Sequence, residues 1–394
     1  MTDAGRLRIA ALLLALAGAG APAATLTIGV VQRADDPRLD PQRVALAYPG
    51  QPGGPLRDAV EMAVKESAFE LDAASLRVVV ETRDARGADD AAAQLAQLDK
   101  AGAAGAVLDL PAPWIAATAT ATAMPLFNAG EAAEASRQLC RGNLFHTLPG
   151  DRMRADALAQ ALLARRWVRV LLLSGPLPAD AGRLALAQAA IKRYGLKAVA
   201  AKNFKLSADP RERDLANPLL LTATAAAGGD YDVVWVVDSD GEFARTLPYR
   251  IALPRPVVGD AGMAAEAWAS RFERYGAPQL ARRFARAANR PMTSFDWAAY
   301  IAAKALLQAA LESPWALRPA QIAKVLARPD FTIDGFKGVR LDFRPWDRQL
   351  RQPLLLTDGV SVVGTAPVDG VMHAKNVLDT LGTDAPESPC KGLP

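Results

Sequence analysis

The chain has 394 residues, 51% hydrophobic and 22% charged, with a formal net charge of +4. That length is ample for two or three sizeable cores, and the composition describes a globular protein, which excludes a disordered or fibrous chain. Two cysteines and two histidines exclude a cysteine-dense scaffold and argue against zinc or copper sites built on those residues.

In chain order, Arg6 and Arg8 precede the apolar run Ile9 to Ala17, and Ala21-Pro22-Ala23 follows. This is the pattern of a secretory leader over residues 1–24, too short for a membrane span. Cleavage after Ala23 or Ala24 removes Asp3, Arg6 and Arg8 and lowers the formal charge to about +3. No Cys stands at the new terminus to carry a lipid, so a periplasmic, unanchored protein is expected. In an oxidising compartment an even cysteine count favours a Cys140–Cys390 disulfide; the alternative is two buried thiols.

Apolar, β-branched runs mark strands at Leu26–Val31, Leu76–Glu81, Ala106–Leu110, Met124–Phe127, Val168–Leu173, Tyr231–Val237 and Pro256–Val258. Helical patterns fall between them at Leu56–Phe69, Ala88–Lys100, Arg152–Arg165 and Gly182–Tyr194. Later helices are expected at Ala265–Arg274, Gln279–Ala288, Ser294–Glu312 and Pro319–Leu326, before a strand-rich end with an Asp358-Gly359 hairpin turn. Such alternation predicts α/β architecture with mostly parallel sheets. The series breaks near Leu144–Pro149. Two lobes are therefore expected, one from residues 25–147 plus 261–345, the other from 148–260 plus 346–394 with the C-terminal tail.

Enzyme signatures are missing. His146 and His373 are read as structural hydrogen-bonders, and there is no nucleophile elbow, dinucleotide loop, phosphate loop or CxxC. Arg282, Arg283, Arg286 and Arg290 stand at helical spacing and read as a solvated face. Nothing points to nucleic acid.

In open parallel sheets, ligands bind beyond the carboxyl ends of strands. Those positions supply Gln32, Arg33, Asp35 and Asp36; Asp109 and Trp114; Asn128 and Glu131; Ser174; Asp238, Ser239, Asp240 and Glu242; and Asp260. The set is rich in carboxylates and nearly free of cations. Carboxylates facing one cleft repel each other, and a bound cation relieves that. Asp109, Glu131, Asp238 and Asp240 are the candidate metal ligands, for calcium or a lanthanide. The competing reading is that Asp238 or Asp240 caps a helix through Phe243. "DSDG" lacks the flanking helix and the distant Glu of a calcium loop.

"LTIGVV", "GGPLRDAVEMAVKES" and "LRVVVETRDARGADDAAAQLAQL" resemble the opening lobe of type I periplasmic binding proteins of the leucine/branched-chain amino-acid class. "LFHTLPGDRMRADALAQAL" resembles their crossover, and "TSFDWAAYIAAKALLQAAL", "FTIDGFKGVRLDF" and "LLLTDGVSVV" their late helix and closing strands. The resemblance implies two α/β lobes, a ligand trapped between them, hinge closure and an ABC-type permease as partner. "LDLPAPW" and "FNAGEAAE" stand where amino-acid binders usually carry small hydroxyl residues, which argues against branched-chain amino acids. "DLPAPW", "FNAGEAAE", "VVDSDGEFARTLPYR" and "DFRPWDRQLRQPLLL" resemble binding proteins associated with pyrroloquinoline quinone-dependent alcohol dehydrogenase systems. That implies a periplasmic alcohol dehydrogenase as a further partner. The ligand is then a small organic molecule or a hard metal ion, and a non-transporting sensor or scaffold is the remaining class.

Overall fold

The computed structural model describes residues 23–48, 50–207, 209–217, 230–312, 314 and 317–393. All but the end of the predicted leader lies outside the described residues. Among them no helix is long and apolar enough to cross a membrane.

The first lobe is built on strands β1 (Ala24–Arg33), β2 (Leu76–Ala85), β3 (Gly105–Asp109), β4 (Leu126–Asn128) and β5 (Leu144–His146). They form one parallel sheet in the order β2-β1-β3-β4-β5. The second is built on β6 (Arg169–Ser174), β7 (Lys197–Asn203), β8 (Val233–Val237) and β9 (Val257–Gly259), parallel in the order β7-β6-β8-β9. Successive side chains of a strand point to opposite faces. Leu26, Ile28 and Val30 therefore enter one apolar cluster of the first lobe, while Val31, Ala106 and Leu108 enter another. Val233, Trp235 and Val237 similarly part from Val234 and Val236. Helices cover both faces, as buried parallel sheets require.

The helix Ser294–Leu311 is the centre of the first lobe. Thr293 and Asp296 close its N-terminus in a capping box, and Phe295, Trp297 and Tyr300 are buried along it. Helices Ala88–Lys100 and Pro319–Leu326 occupy the predicted spans.

The segment 265–274, expected as a helix, is not one. It opens with β10 (Ala264–Glu266), which pairs antiparallel with the later strand Leu354–Thr357. Ala265 packs in the second lobe and Ala267 in the first, so the chain crosses there as an extended strand, and the crossing overrides the helix propensity of its alanines. A small sheet of β11 (Ile333–Asp334), β12 (Arg340–Phe343) and β13 (Leu350–Arg351) follows, then the hairpin β14 (Leu354–Thr357) and β15 (Val362–Ala366). Asp358 Oδ1 accepts the Ser361 amide at 2.7 Å in the hairpin turn. Two crossings are bonded side by side: Gln349 Nε2 donates to His146 O at 3.1 Å, and Gln352 Nε2 to Thr147 O at 2.8 Å. The tail returns over both lobes. Arg344 Nε donates to Asp379 at 2.9 Å, the Gly382 amide donates to Asp156 at 2.9 Å, and Cys140 is bonded to Cys390.

Of the four arginines at helical spacing, Arg282 and Arg286 face water, while Arg283 pairs with Glu66 at 2.5 Å and Arg290 with Asp296 at 2.7 Å.

Candidate functional site

A cavity of about 590 Å³ lies between the carboxyl ends of the two parallel sheets. The first lobe supplies Arg38, Gln51, Glu131 and Phe295 to its walls, and the second supplies Arg154, Arg183, Asp238, Ser239 and Asp260. Its size is in the range that holds a small organic molecule.

The strand-end carboxylates arrive there, but most are already engaged. Asp109 is buried behind the wall, paired with Arg38 Nη2 at 2.5 Å; Asp36 holds the same nitrogen at 2.6 Å. Burial pushes the Asp109 carboxyl up, and the Arg38 charge opposes it. Glu131 accepts the amides of Ala112 at 2.9 Å and Ala133 at 2.7 Å. Asp260 accepts Arg183 Nη2 at 2.5 Å and the Asp238 amide at 2.7 Å. Among the described residues no three His, Cys, Asp or Glu side chains are grouped to hold a metal ion. Asp109, Glu131, Asp238 and Asp240 are thus dispersed among separate partners rather than gathered around one point.

The turn after β8 carries three carboxylates with three tasks. Asp238 Oδ2 accepts the amides of Phe243 at 3.0 Å and Ala244 at 2.8 Å, capping the 3-10 helix Ala244–Tyr249. Its Oδ1 is buried with no hydrogen-bond partner among the described residues. Burial lifts this carboxyl to about 6, against the backbone amides of Ala244 and Gly241. Asp240 reaches across the cleft to Arg43: Nη1 donates to its Oδ1 at 3.0 Å and Nη2 to its carbonyl at 3.0 Å. Glu242 accepts the Tyr48 hydroxyl at 2.5 Å, and Gln51 Nε2 donates to Ser239 O at 3.3 Å. These bonds form a latch between the loop after β1 and the turn after β8. Gly241 makes the approach possible: its φ is +81°, and a Cβ there would stand 3.3 Å from the Tyr48 ring.

The remaining strand-end residues lie elsewhere. Gln32 donates to Asp84 at 2.8 Å, and with Arg33 it walls a separate outer groove. Trp114 leans on the apolar cluster behind the first sheet. Asn128 is buried, donating to Glu131 O at 2.8 Å and lying 3.0 Å from His146 Nδ1. Burial, then the Arg137 charge, holds His146 well below its ordinary value. Ser174 Oγ donates to Asn203 at 3.1 Å.

The near absence of cations expected from the strand ends is corrected. Arg38, Arg154 and Arg183 all line the cavity. Arg154 and Arg183 come from the helices Asp151–Ala164 and Pro178–Arg193, and Arg38 from the short turn Pro37–Leu39. Reading only the residues after strands misses them. For Arg154 the signal is available in principle, because the first turns of helices in βα units open on the same edge as the strand ends. Asp180 is missed for the same reason: it is fully buried and its Oδ1 accepts the Ser239 amide at 2.7 Å.

The sequence matches no protein-family model and no curated protein sequence. Solved structures do match its fold. A branched-chain amino acid ABC transporter periplasmic ligand-binding protein from Burkholderia xenovorans aligns over 86% of this chain and 95% of its own, at 16% identity and a TM-score of 0.69. A periplasmic binding protein from Burkholderia mallei aligns over 94% and 99%, at 14% identity and a TM-score of 0.67. A solute binding protein of an ABC transporter from Rhodopseudomonas palustris, in complex with 3,4-dihydroxybenzoic acid, aligns over 84% and 92%, at 12% identity and a TM-score of 0.63. The fold is the two-lobed α/β fold of type I periplasmic binding proteins.

Proposed function

We propose that this chain is the periplasmic substrate-binding component of an ABC-type transporter. It takes a small organic solute into the cleft between its lobes and presents it to a permease in the inner membrane. One observation carries the reading: a cavity of about 590 Å³, walled by both lobes and closed over by bonds from Arg43, Tyr48 and Gln51 to the opposite turn. The neighbours of the same fold are described as binding proteins, and one holds an aromatic acid. His146, the best base by type, sits outside the cavity walls, which favours binding over catalysis. The segments 109–114, 127–134, 236–250 and 342–356 support a role beside periplasmic alcohol oxidation, through their resemblance to the quinone-linked binding proteins.

The test is a thermal-unfolding screen of the mature protein against small alcohols, aldehydes, amines, acids, calcium and lanthanum, repeated on Gly182→Trp. Gly182 lines the cavity and a Cβ there meets nothing within 4 Å, so a side chain can start there and an indole should obstruct the cleft. A ligand at a hundred times its dissociation constant adds about 2.7 kcal/mol to the wild type, and the variant should lose that gain. Equal shifts in both proteins, or none in either, overturn the reading. A shift with calcium or lanthanum alone establishes the metal reading instead.

A further inference from the structure

Arg154 is the cation in the cleft whose donors the described residues leave unmet. It stands in the first turn of the helix Asp151–Ala164, where the helix dipole favours anions and disfavours a cation. Its side chain is 13% exposed, yet its Nε and Nη2 have no hydrogen-bond partner among the described residues. The nearest carboxylate oxygen is Glu266 Oε2, 3.6 Å from Nη2. That distance attracts the charge without making a hydrogen bond, and the same oxygen accepts the Ser294 hydroxyl at 2.7 Å. Buried donors left without acceptors are costly.

The other arginines of the cavity, and Glu131, have partners. Arg38 is held by Asp36 and Asp109. Arg183 is held by Asp260 at 2.5 Å and Asp151 at 3.7 Å. Glu131 is bound to two amides. Arg154 also lines a second, smaller cavity of about 40 Å³, between Asp151, Arg183, Trp235, Asp260 and Glu266. It shares Asp151, Arg154, Arg183 and Asp260 with the main cavity.

From this geometry we propose that Arg154 is the carboxylate anchor of the cleft, so that the solute is a small carboxylic acid rather than a neutral alcohol or a metal ion. The planar guanidinium fork matches a carboxylate with two parallel donors. The unpartnered Asp238 Oδ1 offers the same molecule an acceptor for a hydroxyl or amino group. The acidic residues at the strand ends argue against an anion only while their partners are unseen; once paired, they leave the buried donor fork of Arg154 as the unsatisfied position. The inference rests on the cleft being the solute site.

The experiment measures unfolding midpoints and dissociation constants for lactate, leucine, benzoate and phenylacetate, each beside its primary amide, with propanol as a neutral probe. Wild type, Arg154→Gln, Arg154→Lys and Glu266→Gln are compared, and circular dichroism confirms that each is folded. At least one acid should bind the wild type about 10- to 100-fold more tightly than its amide, the factor a charge-assisted hydrogen bond carries. Arg154→Gln should erase that preference, and Arg154→Lys should restore part of it. Glu266→Gln removes a competing anion and should tighten binding of the same acid; this arm stands even if both Arg154 variants unfold. Amides or propanol binding wild type and Arg154→Gln equally, with no preference for acids, overturn the anchor and leave the cleft reading intact. A wild type unmoved by every probe overturns both.

Discussion

Removing the latch should open the cleft without unfolding the protein. The double variant Tyr48→Phe, Asp240→Asn deletes the hydroxyl that reaches Glu242 and the charge that pairs with Arg43. The Arg43 and Asp240 side chains are 30% and 26% exposed, so their ion pair contributes about 0.2–1 kcal/mol. The Tyr48 hydroxyl lies 2.5 Å from a carboxylate, and Tyr48 is 5% exposed, so its bond contributes about 1.5–3 kcal/mol. Together they amount to about 2 kcal/mol or more, which shifts the ratio of closed to open molecules roughly 30-fold at about 1.4 kcal/mol per tenfold change. Small-angle scattering of the unliganded protein reads this directly. The radius of gyration should rise in the double variant, and far-ultraviolet circular dichroism should not change. An Arg43→Ala, Asp240→Ala double-mutant cycle should return a coupling within the range of exposed pairs. An unchanged scattering curve would refute the reasoning, because bonds across the cleft that do not alter lobe spacing do not hold it closed.

Asp238 gives a pH test. Its carboxyl rises from an ordinary 3.8 to about 6 in the fold, so folding favours the protonated form. The stability it contributes is present below about pH 4 and lost as pH rises through 6, up to about 3 kcal/mol at 1.36 kcal/mol per pKa unit. Asp238→Asn should flatten that stretch of the stability–pH curve; a curve parallel to the wild type would count against burial as the cause. Reducing or replacing the Cys140–Cys390 pair, 250 residues apart, should lower unfolding stability by about 2–5 kcal/mol, measured in urea; a loss below 1 kcal/mol would show that the hydrogen bonds and ion pairs of the tail, those of Asp379 and Gly382 among them, hold it without the bridge. Trp297→Ala empties the centre of the first lobe, where the indole donates to Gly335 O at 3.1 Å and underlies Lys337 Nζ at 3.7 Å. The expected loss is about 3–5 kcal/mol, and a midpoint within two degrees of wild type would contradict that packing.

The sequence is most legible where one local signal is enough. Asp89, Asp90 and Lys100 sit at the favoured ends of the helix Ala88–Lys100, and its bounds follow. Strands buried on both faces read as continuous apolar runs, so β3, β6 and β8 fall within a residue or two of the expected spans. β7 is different: most of its length is exposed, "KAVAAKN" has a single β-branched residue among alanines, and pairing with β6 makes it a strand. At the site, the sequence shows which carboxylates stand at strand ends but not what they touch. Asp240 finds Arg43 from 197 residues away, and no periodicity encodes that. Arg154 was equally hidden, because the reach of a helix side chain into a cleft depends on how two lobes sit together.

The most direct test of the account is a crystal structure of the mature protein with whichever compound most raises its unfolding midpoint. That compound should lie in the cavity between Gln51, Glu131, Arg183 and Asp238, with an oxygen in hydrogen-bond reach of Arg154 and the Arg43–Asp240 bond formed above it. A compound bound outside the cleft, or a cleft that holds it with the latch parted and Arg154 untouched, would contradict it.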